Sequence, residues 1–282
     1  MYPANYYSLF PAFPRAPTVF VAMSFDQRFA GRWESVIKPA IRSLGAPHGP
    51  LDPVRVDARV VGDSILTEIL GGIGSAQVVF ADITSIGTLD GRPIRNGNVM
   101  YEVGIAHAVR LPEEVLLFRS DQDSLLFDTA NVRVNSYAPD EKPSEATEVV
   151  AEAIRQALRE VDLRRHLAVK AAADSLDYPS FEVLLECMRA AEVLHPKRKT
   201  TGDTLVAISR EAAIQRLLSS GLLQARPYLP SKGDMAEFKD GPASSIIRYE
   251  ITRLGQSAFN EFTSRFDFTT IQRFVEDSSA SN

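Results

Sequence analysis

The chain predicts an α/β protein, a mostly parallel sheet covered by helices, followed by a smaller α+β domain. Three observations carry this. Residues 18–23 (TVFVAM) and 78–81 (VVFA) are apolar runs without alternation, which suit strands buried on both faces of a sheet. Stretches of helical spacing separate the strand candidates, as βα units require. After about Asp162 the alternation gives way to successive helices and then a pair of strands.

The totals set bounds. A chain of 282 residues with a formal net charge of -5 has room for one large domain or two ordinary ones. A hydrophobic share of 45% supports real cores, and the mild acidity gives no overall pull toward nucleic acid. Cys187 is the only cysteine, which excludes a disulfide framework and a cysteine-built zinc site and fits a reducing cytosol. His48, His107, His166 and His195 show no HExxH-type spacing, so no metal site is expected. No stretch has the apolar length of a membrane span, and a cytoplasmic protein is expected. Residues 1–17 are aromatic and proline-rich without the basic-then-apolar order of a signal peptide. They predict an irregular arm packed on its own domain or a neighbour.

The elements follow in order. The strand at 18–23 leads into a loop carrying Ser24, Phe25 and Asp26. Phe29, Trp33, Val36, Ile37, Ala40, Ile41 and Leu44 have helical spacing; Gly45 stops that helix, and Pro39 is expected to kink it. Residues 47–53 are turn-rich, and 54–57 (VRVD) form a second short strand. A helix opening at Asp63 or Ser64 carries Ile65, Ile69 and Ile73 on one face. The strand ending at Asp82 comes next, then a polar, Gly-rich loop over 85–97, then a helix from about Val99. Residues 114–118 (EVLLF) are a strand, 128–137 return along the sheet, and 144–161 form a helix striped by Val150, Ile154, Leu158 and Val161.

The first domain therefore spans 18–162 and the second 163–282. Helices are expected at 164–175, 180–194 and 208–220, the last stopped by Gly221. A basic loop at 195–203 holds Lys197, Arg198 and Lys199. Strands at 222–228 and 246–252, joined by a long polar loop, and a helix at 254–266 complete a winged-helix order, and 277–282 are expected to fray. DNA is a candidate partner through residues 197–253. Arg210 and Arg216 stand beside Glu211, however, and the loop mixes Lys232 and Lys239 with Asp234, Glu237 and Asp240, so a protein partner or assembly contact is the main expectation.

The candidate site lies in residues 75–109. Asp82 ends a parallel strand, at the rim where open α/β sheets bind ligands. Asn98 is expected to cap the following helix, which sets Glu102 at about the end of its first turn, where the helix dipole keeps a carboxylate ionised. Two carboxylates are thus aimed at one crevice. His107 is expected to be an ordinary helix histidine, Trp33 a core residue and Cys187 a buried small apolar residue.

FVAMSFD, VRVD, IGSAQVVFADIT, NVMYEVGIAHA, and LLFD with NSY, in that order, resemble the nucleoside 2-deoxyribosyltransferase-like group, which shades into bacterial TIR-like domains. The likeness covers roughly residues 18–137, and its specific part is ADIT followed by NVMYEVGIAHA. It implies a Rossmann-like (flavodoxin-like) domain that cleaves or transfers at an N-glycosidic bond. The substrate would be a nucleoside, a nucleotide or an NAD-like molecule, with no resident cofactor. The family's glutamate nucleophile falls on Glu102 and its strand-end acid on Asp82, while Met23, Ser24 and Phe25 fall in the loop that lines the sugar pocket. Two positions depart from the pattern: Asn96 stands where the transferases carry an aspartate, and the first-strand loop lacks a tyrosine that often orients the nucleophile. Both departures fit a hydrolase or sensor better than a transferase.

The chemistry explains the residue types. Cleavage builds positive charge on the sugar, which a carboxylate below the anomeric carbon stabilises or bonds to. Glu102 takes that role; Asp82 holds sugar hydroxyls or assists with the proton. Asp26, Asn96, Asn98 and Tyr101 are further substrate contacts. Arg55 with Asp57 anchors the sheet edge or reaches the pocket. Arg92 and Arg95 are solvated loop charges or phosphate contacts, since no Gly-rich phosphate loop follows the first strand. The resulting expectation is a homo-oligomeric N-glycosidase with a controlling winged-helix-like module, of a kind found in prokaryotic nucleotide metabolism or defence. The alternative is a nucleotide sensor that binds without cleaving and reports to DNA or a protein.

Overall fold

A computed structural model describes residues 10–11, 13–45, 49–56, 65–124, 132–190, 204–227 and 247–266. Residues 1–9 of the expected arm, Asp57, the basic cluster at 197–199 and the polar loop over 232–240 lie outside the described residues. The chain divides into two compact units, Met1–Arg164 and Arg165–Asn282.

The first unit is an α/β structure around a five-stranded parallel sheet. Strands β1 (Thr18–Ala22), β2 (Asp52–Val54), β3 (Val78–Asp82), β6 (Val115–Arg119) and β7 (Val134–Ser136) run in the order β2-β1-β3-β6-β7. Successive residues of β1 and β3 serve opposite faces. Val19, Val21, Val78 and Phe80 join the core beneath α1 and α4, and Phe20, Ala22, Val79 and Ala81 join the core beneath α2 and α3. Here α1 is built from Ala30–Arg32, Trp33–Ile37 and Lys38–Arg42; α2 is Ile65–Ser75, α3 Gly97–Val109 and α4 Pro143–Asp174. Cover on both faces is why these strands are apolar throughout.

Three local expectations are corrected and one is refined. Just before Pro39, where a kink is expected, the helix widens into a π-helical turn over Trp33–Ile37, in which the Lys38 amide donates to the Trp33 carbonyl. Pro39 has no amide to donate, and the wider turn before it accommodates the loss. The second strand is Asp52–Val54 rather than 54–57; it is an edge strand, where Pro53 costs no interior ladder bond. The stretch expected as a loop contains an antiparallel hairpin, β4 (Ser85–Leu89) and β5 (Arg92–Arg95), turning through Asp90 and Gly91 at φ of 50° and 73°. That is the left-handed pair a two-residue hairpin turn demands. Lastly, Pro143–Asp174 is one continuous helix, with no break near residue 162.

At the end of the sheet away from the ligand rim, Arg110 is fully buried. It donates to the carbonyls of Ile73 (3.1 Å), Ala76 (2.6 Å) and Gln77 (2.6 Å) and pairs with Glu114 at 2.9 Å. These carbonyls end α2 and lead into β3, so one cation closes the helix and fixes the strand that follows.

The described part of the second unit comprises the end of α4, α5 (Tyr178–Ala190), α6 (Thr204–Ser219), the hairpin β8 (Leu223–Pro227) and β9 (Ile247–Ile251), and α7 (Arg253–Ser264). The Asp177 carboxylate accepts from the Ser180 amide (3.0 Å) at the start of α5. Helix α6 stops in a paired motif: the amide of Leu222 donates to the Leu217 carbonyl (2.9 Å) and that of Gly221 to the Leu218 carbonyl (3.1 Å), with Gly221 at φ of 70°. Ile214, Leu217, Leu223, Tyr249 and Phe259 form the core, with Phe181 stacked on Phe259 at 5.3 Å.

Gly255, in the first turn of α7, is tightly packed: a Cβ there would meet the Leu222 carbonyl oxygen at 2.1 Å. That oxygen already accepts from the Thr252 amide at 3.0 Å and cannot retreat freely. Gly255→Ala should therefore destabilise the protein by about 1–3 kcal/mol in a urea unfolding curve. An unchanged midpoint would contradict the packing described.

Candidate functional site

In the strand order β2-β1-β3-β6-β7 the winding reverses between β1 and β3, and ligands of open α/β sheets bind outside the C-terminal strand ends at such a point. The loop after β1, the end of β3 and the start of α3 meet there. The Ser24 hydroxyl is buried and accepts from the Asp26 amide and from the Asn96 side-chain amide, both at 3.2 Å. Asn96 in turn caps α3: its side-chain oxygen accepts from the amides of Asn98 (3.0 Å) and Val99 (3.3 Å). Asn96 is thus the cap expected at Asn98, which is exposed on the first turn.

The shift of the cap changes the electrostatics of Glu102. It lies in the second turn, the first turn carries no acid, and the dipole effect expected to keep it ionised fades beyond that turn. Its side chain is half-buried, and no hydrogen bond or ion pair ties its carboxyl to another described residue. Burial alone pushes it from an ordinary value near 4.5 up to about 7. Farther along α3, burial lowers the pKa of His107, which favours the neutral imidazole.

Asp82 is the opposite case. It is buried, and both oxygens are engaged. One accepts from the Thr84 amide at 3.0 Å and from the Thr84 hydroxyl; the other accepts from the Tyr137 hydroxyl at 2.6 Å and from Arg32 at 3.2 Å. Arg32 also grips Asp140, at 2.5 and 3.1 Å, and stands 4.4 Å from the Phe29 ring. Burial pulls the Arg32 pKa down, but Asp140 and Asp82 outweigh it and the group is held charged. Burial first, and then the Asp82 charge, raise the Tyr137 hydroxyl well above its usual range, so it stays a donor. With four donors on two oxygens, Asp82 anchors the rim rather than offering itself to a ligand.

The remaining predicted residues divide. Met23 is 2% exposed and belongs to the core, so it does not line a pocket. Asp26 accepts from the Arg28 amide at 3.0 Å and pairs with the Arg28 guanidinium at 2.7 Å, which holds its pKa down at about 2. Arg28 also donates to the Ile86 carbonyl (2.9 Å), tying this loop to the β4–β5 hairpin. Arg95 is neither solvated nor available to a phosphate: it is buried, donates to the Ile83 carbonyl and meets Asp121 at 3.4 Å. Arg92 and Tyr101 are exposed. Arg55 lies 4.1 Å from the Phe25 ring centre and 4.9 Å from that of Trp33.

Sequence reasoning missed Arg32 and Asp140, because each acts across a long sequence separation, and Thr84, which donates to Asp82 from two positions on. A cleft of about 490 Å³ opens at the C-terminal ends of β6 and β7, lined by Ser120, Ser136, Tyr137, Asp140, Lys142 and Glu145 among others. It touches the Asp82 network through Tyr137 and Asp140, but no predicted site residue lines it. Among the described residues no group of three or more His, Cys, Asp or Glu is set to hold a metal ion, and no helix is long and apolar enough to cross a membrane.

No protein-family profile matches the chain, and no curated protein matches it. Among solved structures, the metal-soaked Flv1 flavodiiron core from Synechocystis sp. PCC6803 is similar at 13% identity and a TM-score of 0.35. The match covers 52% of this chain and 36% of that one, so the chain spans about a third of that protein's length. A likeness at that level carries no argument about fold or function.

Tyr137→Phe removes one donor from Asp82 and leaves the ring in place. The loss should cost about 1–3 kcal/mol of stability in denaturant unfolding, because the buried carboxylate is left short of a partner. No measurable loss would mean that Asp82 is less constrained than its contacts indicate.

Proposed function

We propose that the first unit is a Rossmann-like (flavodoxin-like) N-glycosidase. It would act on a nucleoside, a nucleotide or an NAD-like substrate, with Glu102 as the reacting carboxylate. The observation that carries the reading is the state of Glu102: half-buried, without a partner among the described residues, and titrating near 7. A carboxyl kept unpaired at a cost is more easily explained by a substrate that completes it than by the fold.

The steps follow from that state. As the bond from the anomeric carbon to the base lengthens, positive charge grows on the sugar and favours the ionised form of Glu102, so stabilisation is greatest at the transition state. The Glu102 oxygen bonds to the anomeric carbon while the base leaves with the bonding electrons and takes a proton from solvent. Water then opens the ester, freeing the sugar and restoring the carboxylate. Asp82 is a positioning residue here, holding the rim through Arg32, Thr84 and Tyr137. Its saturation also favours a second reading, binding without cleavage, since a single available carboxyl must serve without a partner acid.

For the second unit we propose a winged-helix-like module that mediates assembly or docking. Three helices, a hairpin and a closing helix support this, as do its charges. Arg210 is paired with Glu186 (2.5 Å), Arg216 with Asp177 (2.6 Å) and Arg226 with Glu250 (3.0 Å), which occupies cations that a DNA reader would direct at phosphates. Leu205, Val206 and Ile208 are exposed at the start of α6, as a protein contact would need.

Incubation with nucleosides, deoxynucleoside monophosphates and NAD should release free base, and Glu102→Gln should lower the rate by at least about 100-fold. The rate should rise with pH through about 7, since Glu102 is protonated below and ionised above. Nucleotide binding with no release in the wild type would select the sensor reading instead. Stability gives an independent check. A carboxyl raised from 4.5 to about 7 binds its proton more tightly when folded, so its contribution is complete below 4.5 and is lost as pH rises to about 7. Discounted for partial exposure, Glu102→Gln should gain roughly 1–2 kcal/mol at pH 8 and little at pH 4.5. DNA binding, if measured, should be weak; a steep fall of a tight affinity with salt would overturn the docking assignment.

A further inference from the structure

A second cleft opens at the far end of the sheet from the ligand rim, where β6 and β7 begin, beside α4. Its volume is about 340 Å³, at the small end of ligand clefts, which suits a single amino acid rather than a dinucleotide. Its apolar lining includes Val115, Leu116, Val132, Ala153 and Ala157. Charged groups stand beside these. Glu113 pairs with Arg164 at 2.5 Å, and Glu160 approaches the same guanidinium nitrogen at 3.7 Å, so two carboxylates share one cation. Glu113 Oε2 is buried and has no hydrogen-bond partner among the described residues. Arg133, exposed on the same cleft, makes no hydrogen bond or ion pair with another described residue. One cleft thus carries an unmatched cation and under-matched carboxylates that do not meet each other.

We propose that this cleft binds an apolar α-amino acid as its zwitterion, with the side chain on the apolar lining, the carboxylate on Arg133 and the ammonium at Glu113 and Glu160. Each part of that ligand answers a feature of the cleft. A guanidinium without a partner receives a carboxylate through paired N–H donors. Carboxylates that share one arginine accept an ammonium, which supplies the donor that Glu113 lacks. The charges of Glu113, Glu160, Arg133 and Arg164 sum to zero, which suits a ligand without net charge better than an anion or cation of the same size. The cleft lies at the opposite strand ends from Asp82, and its occupancy is independent of base release.

The test titrates L-leucine into the full-length protein by calorimetry, with thermal unfolding alongside. Three analogues each delete one feature: isoamylamine lacks the carboxylate, isocaproate the ammonium and glycine the apolar side chain. Leucine should bind with a Kd in the micromolar to millimolar range. Isoamylamine and isocaproate should bind at least about fivefold more weakly, and glycine at least about tenfold. Arg133→Gln should weaken leucine by at least about fivefold and leave isoamylamine unchanged. Ala153→Leu, which fills the cleft from α4, should abolish leucine binding. Neither heat nor a thermal shift from leucine at millimolar concentration, equal binding of leucine and its analogues, or an unchanged Kd in Arg133→Gln would overturn the proposal. So would saturation by a capped apolar peptide where free leucine does not bind, since the cleft would then serve strand addition at the β7 edge.

Discussion

The arrangement of the ligand rim depends on one buried carboxylate. Asp82 ends the central strand and is held by a turn residue two positions on, by an arginine of α1 and by a tyrosine just past β7. An ion in that position without donors would cost several kcal/mol. Four donors remove the penalty and join elements that no backbone ladder connects. Arg110 and Glu114 do the same at the opposite end of β3. The central strand is thus secured at both ends by buried charge, and loops rising from it inherit a fixed starting point.

Set against that, Glu102 is informative because it is left alone. The two acids are twenty residues apart in one chain, yet one is saturated and the other has no partner among the described residues. Asp82 is held by donors on both oxygens, whereas burial raises the pKa of Glu102 to about 7.

The central strands and the helices covering them were legible because their signal is local. Val78–Asp82 is an apolar run that suits a doubly covered sheet, and the helix after it is announced by a capping asparagine. What escaped was non-local or ambiguous. Arg32 and Asp140 meet across 108 positions, and nothing in the neighbourhood of either marks the other. Asn96 and Asn98 are both competent caps, and the Gly97 between them made a turn as plausible as a helix start. Continuity through residue 162 is hidden in the sequence because the apolar pattern alters there, although no Gly or Pro lies there to break the helix. The hairpin did carry a signature, Asp90-Gly91 between two strand-length stretches, but the surrounding Gly, Pro and Arg residues outweighed it.

That hairpin has a consequence for how the protein can vary. Because Ser85 pairs with Arg95, the excursion delivers the chain back to the spot it departed from. Its base is stitched down by Ser85 and Arg95 meeting Asp121, and Leu89 at its tip is 64% exposed. Residues can be added or trimmed in pairs at the tip while Asp82 and Asn96 stay where they are. The segment is in effect an appendage whose length is decoupled from the geometry at its foot.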